Sequence, residues 1–367
     1  MEIFLSFSFG LNLFLIFLIY KNLKYNPANI FLLLLLCSVL IGTGFVIALN
    51  QLHFKINSFG YLINALPTVI GSLVYLYVKY SLLFKSKFRW IDLIHFSPFI
   101  VAFIIGFYES NNITLNSVLL NIGLKVLVSI AYFILSLKLL EKHRKNVEDH
   151  FSQIENIDLK WLSFIVKIGL GTYLIYLSLM ILWSLNLTEL EHIDSYPNFI
   201  VLFFILPISY YSLNSPLVFS QLNNYVSQGL LDASEEEISK IEVKELVSSE
   251  KAHELFIKLE HRIIEKELFC IENLTLEDLA KEIEVHSKYL SYIINSQSGK
   301  NFFDFINSFR VKEFNKRVLD ERNKSLTFLA IAFDCGFNSK SAFNRSYKNE
   351  MGITPTEFIK QHSKNNQ

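Results

Sequence analysis

Two clusters of polar side chains have the spacing needed to line one face of a helix. Lys288, Ser291, Tyr292 and Asn295 form the first; Lys340, Ser341, Asn344, Arg345 and Lys348 form the second. Steps of three and four residues bring such groups onto adjoining positions of a helical surface. Their chemistry is recognition rather than bond making. The Arg345 guanidinium is a fork of donors that fits the O6 and N7 edge of guanine, and the Asn344 amide fits adenine. Lys288, Ser291, Tyr292, Lys340 and Ser341 complete the residues expected to read base edges.

Catalytic constellations are not found in the sequence. Cys37, Cys270 and Cys335 lie far apart with no C-x-x-C pair, which argues against a disulfide framework and against zinc. His53, His95, His143, His150 and His192 are scattered without paired metal-ligand spacing, and no Ser/His/Asp or H-E-x-x-H arrangement occurs. The chain is therefore expected to be no enzyme, to bind no metal and to need no cofactor.

The elements that would position the two clusters repeat one pattern. Leu276, Leu279, Ala280 and Ile283 recur at helical spacing, and after a short break Leu290, Ile293 and Ile294 do the same. Later Leu326, Leu329, Ala330 and Phe333 repeat the pattern, Gly336 sits at the break, and Phe343 and Tyr347 follow. A short helix, a tight turn and a second short helix make a helix-turn-helix, whose second helix fits a major groove. Leu290, Ile293, Phe343 and Tyr347 should face the core. A longer helical pattern, Phe303 to Leu319, joins the two motifs.

This segment resembles the DNA-binding domain of the AraC/XylS family of bacterial transcription regulators. The likeness is carried by Leu279-Ala280, the run Gly299 to Arg310 (GKNFFDFINSFR), Ile331-Ala332 and Gly336-Phe337. Ser339, Ser341, Phe343, Arg345, Lys348 and Gly352-Ile353-Thr354-Pro355 extend it. The resemblance implies promoter DNA and RNA polymerase as partners and base reading by the second helix of each motif. His286 stands where the family usually has a capping Ser or Thr, with Ser287 after it.

Charge agrees with a nucleic-acid partner. The whole chain has 34 basic and 34 acidic residues, yet from Val285 onward 13 Lys and Arg face 7 Asp and Glu. Such an excess supplies the sequence-independent phosphate part of binding. Asn295, Lys300, Arg310, Lys316 and Lys348 are the expected phosphate contacts.

The first two hundred residues have another character. The chain is 51% hydrophobic with mean hydropathy +0.34, too apolar for an ordinary soluble protein, and the apolar residues are concentrated. Seven runs stand out: Ile3–Tyr20, Ala28–Leu49, Phe59–Val78, Ile91–Phe107, Val118–Leu137, Leu162–Leu185 and Pro197–Leu213. At 17 to 24 residues they match the length that spans a bilayer as helix. The first lacks the basic start and small-residue cleavage site of a signal peptide. Lys21, Lys24, Lys85, Lys87, Arg89, Lys142, Arg144 and Lys145 all fall in odd-numbered loops, and only Lys55 falls in an even one. Basic short loops stay cytoplasmic, so the N-terminus is expected outside and everything after Leu213 in the cytoplasm of a bacterium.

Polar residues inside these runs are few. Lys79 and Lys167 lie near cytoplasmic ends, where long basic chains reach the headgroups. Lys125, with Asn121 one turn earlier, either snorkels outward or lines a cavity that senses a ligand. Pro67, Pro98 and Pro207 are expected to interrupt spans.

Ser234-Glu235-Glu236-Glu237 reads as a capping box within a polar linker. Glu250–Phe269 follows as a helix whose stripe (Leu255, Phe256, Leu259, Ile263, Ile264) either pairs with a second copy or packs on the first motif.

The expected fold is all-α. A seven-helix membrane sensor domain (1–214) leads through a linker (215–249) and a linking helix (250–272) to an AraC-like domain (273–364). The function this implies is a membrane-bound one-component transcription regulator, in the form of a homodimer, answering a small-molecule or bilayer signal. The rival reading is a transporter or membrane enzyme with an accessory DNA-binding domain. It would need charged pairs or metal ligands inside the bundle, or an inverted repeat, and the sequence displays none.

Overall fold

The computed structural model describes residues 2–23, 26–51, 62–63, 65–82, 88–109, 115–155, 157–185, 205–213 and 249–364. The expected linker helix at Ser234 lies outside them. The described residues are helical throughout, with no β-strand and a single isolated bridge. The chain divides into two compact units, Met1–Lys142 with Leu159–Gln228, and His143–Asp158 with Gly229–Gln367.

In the first unit every apolar run contains helix: α1 (Glu2–Lys21), α2 (Asn29–Gln51), α3 (Thr68–Leu82), α4 (Ser97–Glu109), α5 (Leu115–His150), α6 (Lys160–Ser184) and α7 (205–213). A 3-10 helix, Trp90–Phe96, leads into α4. By length and composition, four segments among the described residues can cross a membrane: Asn29–Ala48, Trp90–Tyr108, Gly123–His150 and Lys160–Leu179. Leu5–Lys21 and Thr68–Leu82 are apolar but shorter. The third helix thus starts later than its apolar run, because Pro67 precedes it and its carbonyl accepts from Ile70 N at 3.3 Å. Pro98 is the second residue of α4. Pro98 therefore opens a helix, at a position whose N–H needs no intrahelical partner, whereas Pro67 interrupts its run as expected, between the helical residues Leu62, Ile63 and Ala65 and the start of α3.

The surface of this unit is the reverse of a water-soluble domain. Phe7, Phe14, Phe17, Ile100, Ile104, Leu127, Phe164 and Ile175 are exposed, whereas Ser8, Asn12, Thr43, Ser72, Ser129 and Ser136 are buried. The hydroxyls of Ser72, Thr43 and Ser136 return to backbone carbonyls one turn back, at 2.8–3.0 Å. Small side chains let the helices approach: a Cβ on Gly71 of α3 would lie 2.8 Å from Ser129 Cα of α5. Lys79 is not simply snorkelling. Its ammonium lies 2.6 Å from the buried Asp92, which also accepts from the Tyr80 hydroxyl at 2.6 Å. This charged pair, absent from the sequence reading, ties the C-terminal end of α3 to the 3-10 helix before α4.

The second unit is built on α8 (Ser249–Glu265), α9 (Leu276–Glu282), α10 (Ser287–Ser298), α11 (Phe302–Val318), α12 (Phe328–Asp334), α13 (Lys340–Met351) and α14 (Pro355–Lys364). The helix from Glu250 ends at Glu265, not Phe269, because Glu267 turns left-handed and a 3-10 turn, Leu268–Cys270, follows. Its stripe packs inward: Leu259 and Ile263 are fully buried against α9 and α10, while Ile264 is exposed.

Two hydrophobic clusters meet on α11. Phe302, Phe305, Ile306 and Phe309 join the first with Leu279, Leu290 and Ile294; Val311 and Phe314 join the second with Ile331, Phe343 and Tyr347. Opposite faces of one helix are thus buried, which is why α11 has no single apolar stripe.

Candidate nucleic-acid interface

Each short helix begins on a side-chain oxygen or nitrogen that accepts a backbone N–H. Thr275 and Asp278 form a reciprocal box at α9 (3.1 and 3.2 Å), and Thr327 accepts from Ala330 N at 3.1 Å for α12. Ser339 accepts from Ala342 N at 3.0 Å for α13. His286 caps α10 in the same way, Nδ1 accepting from Lys288 N at 3.3 Å, so a ring nitrogen makes the cap where the resemblance led one to expect Ser or Thr. Gly299 and Gly352, both with positive φ, close α10 and α13.

The turns correspond too. Glu284 (φ 60°) sits between α9 and α10, and Gly336 (φ 96°) between α12 and α13, the second turn being one residue longer. Gly336 is required on two counts. Its φ disfavours a side chain, and a Cβ there would meet the Phe269 carbonyl oxygen at 2.5 Å and Arg310 Nε at 3.0 Å.

On α10 and α13 the core side is as the spacing predicts: Leu290, Ile293, Phe343 and Tyr347 are buried. The Tyr347 hydroxyl donates to Asn315 at 2.6 Å, fixing α13 on α11. On the other side Lys288, Asn295, Lys340, Ser341, Asn344 and Lys348 are exposed, and Ser291 and Tyr292 half-buried. Asn295 donates to the Ser291 carbonyl at 3.0 Å. Arg345 is half-buried, its guanidinium 5.2 Å above the Phe303 ring, and its Nη2 has no hydrogen-bond partner among the described residues. Ser341 is engaged: its hydroxyl donates to Glu155 at 2.8 Å, and Ser339 donates to the same carboxylate.

The expected phosphate contacts divide. Lys316 is exposed, 3.7 Å from Glu313. Lys300 pairs with Glu350 at 2.6 Å. Arg310, read from sequence as a phosphate contact, is fully buried and faces the protein instead. Nε donates to Phe269 O (2.7 Å), Nη1 to Asn307 Oδ1 and Ser152 O (both 3.2 Å), and Nη2 to Ile271 O (2.8 Å) and Ser152 Oγ (3.2 Å). It holds the seam between the two helix pairs. Burial pulls its pKa down to about 10, which leaves it charged at neutral pH.

Arg317, Asn315 and Glu155 were missed by sequence reasoning. Arg317 pairs with Glu313 at 2.7 Å and reaches the Asp334 carbonyl, and only its i−4 spacing from Glu313 was visible in advance. In the first unit Lys125 is half-buried on α5, and the Asn121 side chain lies outside the described residues.

Residues 279–361 match the sequence profile of a family described as a helix-turn-helix domain. Two curated relatives are similar over the same part. One is the uncharacterized HTH-type transcriptional regulator YobQ of Bacillus subtilis, 36% identical over 84 residues (23% of this chain, 34% of that protein). The other is the HTH-type transcriptional activator RhaS of Mannheimia succiniciproducens, 31% identical over 83 residues (22% of this chain, 30% of that protein). The chain thus spans about a third of the length of the relatives it matches. No solved structure matches it. The C-terminal segment carries an AraC-type helix-turn-helix domain, and the relatives similar to it are described as HTH-type transcription regulators.

Proposed function

We propose that the chain is a membrane-bound one-component transcription regulator. Its first unit crosses the bacterial inner membrane seven times with the N-terminus outside, and its second unit binds promoter DNA from the cytoplasm. The observation that carries the reading is the contrast between the two units: one wears its apolar residues outside, the other buries them beneath polar helix faces. Exposed apolar surface on that scale needs lipid or a partner to cover it.

In this reading α9–α10 and α12–α13 are two helix-turn-helix motifs, and Lys288, Ser291, Tyr292, Lys340, Ser341, Asn344 and Arg345 read bases. Asn295, Lys300, Lys316 and Lys348 meet phosphates. A second copy of the chain and RNA polymerase are the protein partners. The stimulus enters the bundle, where Lys125 and Asn121 are its contacts, since the short outer loops offer no sensory domain. The Lys79–Asp92 pair supplies one feature that a transporter would need, but it ties helix ends together.

The test uses full-length protein in lipid vesicles and duplexes enriched by it from a random-sequence library. Arg345→Ala should cost roughly 1–3 kcal/mol of binding and relax preference at one base pair, while Lys316→Ala should weaken all sequences evenly. Equal, sequence-independent losses from both would reduce Arg345 to a phosphate contact. Failure to enrich any duplex would sink the DNA-binding reading itself.

A further inference from the structure

Residues His143–Asp158, the last two turns of α5 and the segment that leads on to α6, group with the C-terminal helices. Val147, Phe151, Ile154 and Ile157 are buried there. Ser152 N donates to the Leu274 carbonyl at 3.2 Å, and Phe151 bridges Thr275. Gln153 donates to the Gly336 carbonyl at 2.9 Å. Two residues further, Glu155 accepts from both Ser339 and Ser341.

The place matters. Ser339 caps α13, and Ser341 stands in its first turn among the residues assigned above to base reading. Hydroxyls and free N–H groups at a helix N-terminus are what a DNA phosphate seeks as the helix enters the groove. The Glu155 carboxylate supplies the same negative oxygens to the same donors. A phosphate and this carboxylate cannot occupy them together, and like charge makes even close approach unfavourable.

From this we infer that 143–158 is an autoinhibitory strap. It occupies the DNA-facing end of α13, and the stimulus that acts on the membrane unit releases it through α5, of which it is the continuation. The inference rests on the proposed function, because it takes α13 to meet DNA. The strap can leave without unpairing the Arg310 seam. If Ser152 withdraws, every nitrogen of Arg310 keeps an acceptor: Phe269 O for Nε, Asn307 Oδ1 for Nη1 and Ile271 O for Nη2. Closure therefore masks the surface without being needed to pair Arg310.

A strap closed about nine-tenths of the time weakens apparent DNA affinity about tenfold. Glu155→Ala, in the full-length chain in phosphatidylcholine–phosphatidylglycerol vesicles, should recover that factor on a duplex enriched from a random library. A photoreactive side chain at position 155 should cross-link to the 339–341 region without duplex and lose that product as duplex is added. Equal or weaker binding by Glu155→Ala, with the wild type still binding, overturns the strap and leaves the proposed function standing. So does a cross-link yield unchanged at saturating duplex. If neither chain enriches any duplex, the proposed function fails first and the strap falls with it.

Discussion

Arg310 illustrates how one residue type carries two opposite meanings. A basic side chain in a basic segment reads as a phosphate contact, but a guanidinium is also the side chain best able to satisfy several carbonyls at once. Here it takes Phe269, Ile271 and Ser152 oxygens in a fully buried site. Arg310→Met would leave those acceptors unpaired, at roughly 1–3 kcal/mol each before relaxation. The expected outcome is a clear fall in the melting temperature of the C-terminal unit, followed by tryptophan-independent far-UV circular dichroism of the full-length protein. A phosphate contact behaves otherwise: the melting temperature would hold while DNA affinity dropped and its salt dependence flattened.

At the scale of the element, the two helix pairs are punctuated by similar devices of unequal quality. Thr275, Thr327 and Ser339 are strong N-caps, but His286 accepts from Lys288 N across 3.3 Å through a ring nitrogen. A serine at that position would place a compact hydroxyl where the orphan N–H groups point. His286→Ser should therefore stabilise α10, by about 0.5–1 kcal/mol on the scale of known capping effects. Thermal melting of the full-length variant measures it. No gain would mean that His286 contributes by packing as well as by capping.

For the whole molecule, orientation is the claim most open to test. Basic residues gather in the odd-numbered loops, and the surface of the first unit is apolar. A reporter active only in the cytoplasm, joined after Leu23 or after Leu213, should be active, and one inserted between 110 and 114 should be silent. Activity at all three positions would defeat the seven-span arrangement with its N-terminus outside.

What the amino-acid sequence determined by itself was local. Apolar runs, helix periodicity and the core faces of α10 and α13 depend on neighbours three or four residues away, so they were legible. Leu290, Ile293, Phe343 and Tyr347 fell inside for that reason. Only tertiary structure decided the rest. Ser152 meets Arg310 across 158 residues of chain and Glu155 meets Ser341 across 186, and no periodicity encodes such partners. The direction taken by a long polar side chain depends on which carbonyls and rings await it. Arg310 therefore turned inward to the seam, Arg345 lay over Phe303, and Lys79 found Asp92.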